Sequence, residues 1–325
     1  MGRKPHFFFG MQEVTMQRPK ALKKGDTVGI ITPSGPIKDF ERIKNAIAFY
    51  EGCGFKVKEG KHIRRQYGYM AGTAAERIED IHAMFADDSV DGIFCLRGGS
   101  GGSRMGRLLD MGLIRSNPKV FVGFSDVTFL LINLLQNGDM AAFHGLMAGA
   151  AGPFSDFSRQ SFLRAVTETK PLGEIKNPDN QEPECLYPGK VTAPLVGGNL
   201  TIICLSMGTP YELDTKDKIL FIEDTNEEPY RTDGRLCQLM NAGKLDACAG
   251  FVLGDFNNCE ANPERTNPSL AMKDVIQDLL VATKKPVLGG FKAGHCEPMI
   301  TLPLGVNVTL DATNKKLVFE ESCCL

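Results

Sequence analysis

Short runs of consecutive apolar residues alternate along this chain with longer stretches in which apolar residues return every three or four positions. The first run is Thr27-Val28-Gly29-Ile30-Ile31-Thr32, preceded by Leu22-Lys23-Lys24-Gly25-Asp26 and closed by Pro33-Ser34-Gly35-Pro36. A brief apolar run punctuated by Gly and Pro is the pattern of a strand buried on both faces. Residues 40–50 then carry Ile43, Ala46, Ile47 and Tyr50 on one helical face, and Gly52 and Gly54 stop it. Phe55-Lys56-Val57 reads as the next strand, 74–85 as a second amphipathic helix and Gly92-Ile93-Phe94-Cys95-Leu96 as a third strand. Strands separated by helices of this length predict an α/β fold, with a parallel sheet wound by right-handed crossovers.

The next unit runs from Pro118 to Leu134. Val120-Phe121-Val122 is a strand, Ser125 stands at a tight turn, and apolar residues from Phe129 onward keep a helical period until Gly138. A serine there lies at the carboxyl end of the sheet, where open α/β folds place ligands. Amide groups at the start of the following helix are suited to a developing oxyanion. The turn is similar to a nucleophile elbow, although Val127 occupies the position of that motif's second glycine. A competing reading makes Ser125 or Asp126 a helix cap.

A short strand, Ala141-Ala142-Phe143, leads to His144-Gly145, and a helix follows over 158–167. Residues 171–188 are rich in Pro, Asn, Glu and Gly without periodicity and read as a linker. Beyond it come strands at 191–196, 218–222, 250–256 and 286–291, with helices at 200–207, 230–242 and 270–283. The tail, 302–310, alternates as an exposed antiparallel strand or hairpin does. The expected organisation is an N-terminal extension (1–19), an N-terminal α/β domain (20–155), a helix and linker (156–190) and a C-terminal domain (191–325).

Composition narrows the function. The net charge of -2 gives no basic field for nucleic acid. No apolar run is long enough to span a bilayer, and the N-terminal aromatic cluster is too short for a signal peptide. Ten cysteines are scattered without a Cys-x-x-Cys pair, which predicts a reducing cytoplasmic setting and no zinc site.

Three apolar strands end in reactive side chains: Ser125, Glu223 and His295. In that order they are a nucleophile, a carboxylate and a base, the chain order of the α/β-hydrolases. Each has a plainer reading. Glu223 or Asp224 caps the next turn, and His295 is a satisfied loop histidine. His144 competes with His295 as base, because it too follows a strand and precedes a glycine. His82 reads as structural, and His62, among Lys61, Arg64 and Arg65, reads as solvated surface. The glycine-rich loop 97–103 fails as a dinucleotide fingerprint, since Arg104 sits where the third glycine belongs. Its glycines instead suit close backbone approach to an oxyanion.

Taken in order, Leu22-Lys23-Lys24-Gly25-Asp26, Arg97-Gly98-Gly99, Gly123-Phe124-Ser125-Asp126, Phe143-His144-Gly145, Gly197-Gly198-Asn199-Leu200, Ile222-Glu223-Asp224, Pro229-Tyr230-Arg231 and Gly294-His295 resemble the LD-carboxypeptidase family of serine peptidases. That family includes murein tetrapeptide carboxypeptidases and microcin-immunity hydrolases. The resemblance implies a flavodoxin-like N-terminal domain and a smaller β-rich α/β C-terminal domain, with the site between them. It implies Ser125 as nucleophile, His295 as base, Glu223 as orienting carboxylate, and an oxyanion hole from backbone amides of Gly98, Gly99 and Asp126. It also implies a homodimer, no metal or cofactor, and a muropeptide substrate that loses a C-terminal D-amino acid. Hydrolysis of peptidyl or aminoacyl nucleotides, and muropeptide binding without catalysis, are the alternatives. The family's usual Gly-Gly-Tyr-Gly is replaced here by Gly98-Gly99-Ser100-Gly101-Gly102.

Overall fold

A computed structural model describes residues 16–150, 153–179, 181–264 and 268–325. The apolar runs of the first half become β1 (Thr27–Ile31), β2 (Lys56–Glu59), β3 (Gly92–Cys95), β4 (Val120–Gly123) and β5 (Ala142–His144). These strands pair in parallel in the order β2-β1-β3-β4-β5. This is the flavodoxin-like order, whose switch point lies between β1 and β3. The chain leaves those two strands in opposite directions, so their carboxyl ends open a crevice. The loops beyond them meet where the Gly35 amide donates to the Gly98 carbonyl at 3.0 Å.

Helices follow the predicted apolar faces. In the helix Glu41–Gly52 the buried residues are Ile43, Ala46 and Tyr50, and Tyr50 packs on Phe94 of β3 with ring centroids 4.9 Å apart. The helix Ala74–Ala86 opens on a capping box between Thr73 and Glu76, which satisfies orphan amides at its first turn. Among the described residues no helix is long and apolar enough to cross a membrane.

The second half builds another sheet from β6 (Gly173–Ile175), β7 (Glu184–Tyr187), β8 (Lys190–Asn199), β9 (Ile219–Thr225), β10 (Gly250–Asn257) and β11 (Val287–Gly289). After β12 (Leu302–Leu304), strands β13 (Asn307–Asp311) and β14 (Lys316–Phe319) complete it. Among the described residues the order is β6-β14-β13-β8-β9-β10-β11-β7, parallel from β8 to β11. Side chains alternate across β9. Ile219 and Phe221 join the core shared with the first sheet, and Leu220 and Ile222 face a second core under the helices Leu200–Ser206 and Pro229–Asn241.

Three sequence expectations are corrected. The segment 171–188 is not a plain linker: it supplies β6 and β7, at opposite edges of the second sheet. Edge strands bury only part of one face, so they leave little periodicity to read. The tail is not exposed. Leu302 and Leu304 are buried in β12, which pairs antiparallel with β5 and closes the edge of the first sheet, where Pro303 is tolerated. Val308 and Leu310 are buried in β13, inside the second sheet. Alternation shows that one face is apolar but not which layer will cover it.

Residues 1–15 of the expected extension lie outside the described residues. The remainder is tied down: Gln17 bridges to Met140, and the Pro19 carbonyl accepts from the Leu325 amide at 3.0 Å. Finally, His62 is buried, with Nε2 2.8 Å from Glu79 Oε2 and its amide donating to Asp80. The acidic face of the helix Ala74–Ala86 closes over it.

β12 carries a chain segment from the second half into the first sheet, so truncating it weakens both halves together. Leu302→Ala should lower stability by about 2–5 kcal/mol, seen as a lower urea midpoint in a single transition. Two separated transitions would show that the halves unfold independently.

Candidate active site

Ser125 stands two residues beyond the end of β4, after Phe124, and has a φ of 63°. A non-glycine residue in this left-handed conformation is strained by roughly 1–3 kcal/mol and persists only where its surroundings enforce it. The enforcing contacts are local. A Cβ on Gly123 would lie 2.6 Å from Val127 Cγ1, so Gly123 is small because Val127 is large. This explains how the turn forms without a glycine at 127. Neither Ser125 nor Asp126 caps the helix that follows. The Asp126 carboxylate instead accepts from the Gly102 amide at 2.8 Å, which ties the turn to the loop after β3.

That loop stands against the serine. A Cβ on Gly98 would sit 2.6 Å from Ser125 Cβ, 2.7 Å from Ser125 Oγ and 3.5 Å from the Asp126 nitrogen. Gly99 has a φ of 130°, and a Cβ there would meet Gly35 Cα at 2.8 Å. Backbone therefore borders the hydroxyl with no intervening side chain. Of the three positions expected as oxyanion donors, Gly98 lies against Ser125 and close to the Asp126 nitrogen, and Gly99 lines the same cleft as Ser125.

Glu223 shares the parity of Ile219 and Phe221 on β9 and so points to the first sheet's side. It is fully buried, and its Oε2 lies 2.7 Å from His295 Nδ1. Burial pushes its carboxyl pKa up, and the facing His295 pulls it back. Gly294, with a φ of 120°, lets the backbone cross this carboxylate, because a Cβ there would stand 2.6 Å from Oε2. With Nδ1 donating to the carboxylate, His295 keeps Nε2 as an acceptor. The Phe124 ring, next in the chain to Ser125, packs edge-on against His295 at 4.9 Å.

Asp224 has the opposite parity. It accepts from Asn199 Nδ2 at 3.0 Å and from the Thr201 amide and hydroxyl, at 3.0 and 2.7 Å. The Asn199 amide in turn donates to Thr128 Oγ1 at 3.1 Å, so the end of β8 is fastened to the helix after Ser125. Asn199 was not singled out as a site residue from sequence; the signal was the pair of glycines before it. Gly198 permits close approach to Thr128, and a Cβ there would lie 2.7 Å from Thr128 Cγ2.

A cleft of about 380 Å³ opens at Ser125, lined also by Tyr69, Gly99–Gly101, Ser103, Arg104, Asp126, Asn199 and Leu205 among others; Glu223 and His295 are not among its lining residues. Arg104 and Tyr69 were likewise unassigned from sequence.

His144 differs from His295 in every respect that matters to a base. It is fully buried, and among the described residues neither ring nitrogen has a hydrogen-bond partner. Its ring lies among Phe124 and Phe221, at 5.6 and 4.9 Å. Burial, with a smaller contribution from His295, pulls its pKa down to about 3. The unfolded chain binds this proton near pH 6.5. His144 therefore contributes stability that is complete above about pH 6.5 and is lost as pH falls toward about 3. Urea midpoints at about pH 7 and about pH 4.5 should converge in His144→Phe relative to the native chain. An unchanged pH dependence would refute the assignment.

Two family models match the chain in tandem: the LD-carboxypeptidase N-terminal domain over residues 28–145 and the LD-carboxypeptidase C-terminal domain over residues 192–310. A probable murein peptide carboxypeptidase of Bacillus subtilis (strain 168) is 41% identical over 307 residues, covering 93% of this chain and 94% of that protein. The microcin C7 self-immunity protein MccF of Escherichia coli is 28% identical over 331 residues, covering 92% and 94%. The crystal structure of muramoyltetrapeptide carboxypeptidase from Oxalobacter formigenes matches with a TM-score of 0.78 at 27% identity, over 91% of this chain and 99% of that one. The chain belongs to the LD-carboxypeptidase family.

Proposed function

We propose that this protein is a serine carboxypeptidase that removes a C-terminal D-amino acid, D-alanine, from a murein tetrapeptide in the cytoplasm. The observation that carries the reading is the fully buried Glu223 held 2.7 Å from the half-buried His295, whose ring packs on Phe124 at the strained Ser125 turn. The names of the B. subtilis and O. formigenes relatives support the substrate class. The absence of disulfides, with all ten thiols free, supports a reducing compartment.

In this reading Ser125 Oγ attacks the carbonyl of the last amide while His295 Nε2 takes its proton. Glu223 holds the tautomer and stabilises the imidazolium from a position closed to water. The oxyanion is received by backbone amides of Asp126 and of the Gly98–Gly99 turn. His295 then protonates the leaving amine, and the D-amino acid departs. Water, deprotonated by His295, attacks the acyl-enzyme and restores Ser125. The chemistry uses neither a metal nor a cofactor. The resemblance further supports a homodimer, which sedimentation would test.

D-Alanine release from murein tetrapeptide is the direct test. Turnover should fall by roughly 10⁴-fold or more in Ser125→Ala and in His295→Ala, with the fold retained. Glu223→Gln, which leaves the imidazole in the wrong tautomer, should lose about as much. Full activity in Ser125→Ala would remove the nucleophile. Hydrolysis of an aminoacyl sulfamoyl adenosine with no D-alanine release would move the substrate to the branch of the microcin relative.

A further inference from the structure

Arg77 has no task in the chemistry above, yet it heads the largest fully buried side chains, at 2% exposed. It sits on the inner face of the helix Ala74–Ala86 beside Ile78 and Ile81, where an aliphatic residue would satisfy packing. Among the described residues no carboxylate lies within ion-pair distance of it. Its Nη1 donates instead to two carbonyls, Pro33 at 2.6 Å and Gly101 at 2.9 Å, and Nε reaches the Thr73 carbonyl at 3.4 Å. A buried guanidinium without a direct counter-ion is costly, so its partners are informative.

Those carbonyls belong to the two loops that meet at the switch point. Pro33 lies in the loop after β1, whose Gly35 amide holds the Gly98 carbonyl. Gly101 lies in the loop after β3. The peptide group joining Gly101 to Gly102 is held at both ends: its carbonyl accepts from Arg77, and its N–H donates to the Asp126 carboxylate at 2.8 Å. A cation and an anion thus face each other through one peptide, which strengthens both hydrogen bonds. The Asp126 carboxylate is also the nearby charge that acts to keep Arg77 protonated against its burial.

The loop needs this support. Gly98, Gly99, Gly101 and Gly102 give it the least pre-organised backbone available. Side chains are excluded there: a Cβ on Gly101 would meet Met70 Sδ at 2.8 Å, and one on Gly102 the Asp126 carbonyl at 2.8 Å. Oxyanion stabilisation depends on donors fixed before the reaction begins.

We propose that Arg77 is a positioning residue. Acting through the Gly101–Gly102 peptide and the Asp126 carboxylate, it locks the glycine loop and the Ser125 turn in the arrangement that receives the oxyanion. The inference rests on the reading of Ser125 as nucleophile given above.

The test uses the full chain and the variants Arg77→Met, Arg77→Lys, Asp126→Asn and the Lys/Asn double variant. Three quantities are measured: kcat and KM for D-alanine release, the rate of Ser125 modification by an alkyl fluorophosphonate, and the melting temperature. Modification forms the Ser Oγ–P bond, expels fluoride and needs the oxyanion donors but no peptide.

Arg77→Met should lose roughly 10- to 100-fold in kcat and in modification rate, with KM within about threefold. Arg77→Lys, which keeps the charge and one carbonyl contact, should recover most of that loss. The double variant should fall short of the summed single losses, because both residues hold one peptide. Retained kcat, a loss confined to KM, a lysine variant no better than methionine, or additive losses would each overturn the proposal. If Arg77→Met does not fold, the Lys and Asn variants and their double decide alone. Wild-type modification without D-alanine release would defeat the substrate reading, and the modification rates would still judge Arg77. No modification of wild-type Ser125 would overturn both.

Discussion

A carboxylate with no exposure to water sits at the junction of the two sheets. Glu223 lies on the last residues of a strand whose inward side chains belong to the core, and its environment disfavours charge. Desolvating an ion costs several kcal/mol unless a partner of good geometry offsets it. His295 is that partner, and the structure around it serves to bring the ring within 2.7 Å. Gly294 lets the chain lie across the carboxylate, Gly254 keeps a neighbouring strand out of its way, and Phe124 closes the other side of the imidazole. The same dryness that makes the pair expensive strengthens their interaction.

A second constraint acts at the opposite wall. The crevice of a doubly wound sheet exists because two strands send their connections in opposite directions. Here the two loops are drawn together instead of left open. Gly35 bonds to Gly98, Arg77 holds both loops from beneath, and Asp126 reaches across to Gly102. Ser125 is strained into place between them. Among the contacts that join the halves of the molecule, Thr128 and Asn199 couple the helix after the serine to the end of β8. Motifs that look unrelated along the chain are contact points of one assembly.

The cleft also bears on the missing tyrosine of the glycine loop. Ser100 stands there in this chain, and an aromatic side chain comes from Tyr69, on a different loop lining the same cleft. Exposed at 64%, Tyr69 has unburied ring surface available to a ligand.

Local order was legible because buried parallel strands are short apolar runs and their helices repeat at a fixed period. The sequence by itself determined β1 to β5, the helices after β1, β2 and β4, the turn at Ser125 and the ordered motifs of the family; the helix Met111–Ser116 between β3 and β4 was not read from it. Even the choice between Glu223 and Asp224 was latent in it, since side chains alternate across a strand and Glu223 shares the face of Ile219 and Phe221. Tertiary structure alone decided the rest. Whether His62 and the tail were buried depended on which distant surface covered them, which periodicity does not encode. His144 and His295 both follow strands and differ only in what surrounds them: aromatic rings for one, a carboxylate for the other. Arg77 read as one polar position on an amphipathic helix, and its meaning came from two carbonyls brought to it by loops far apart in the chain.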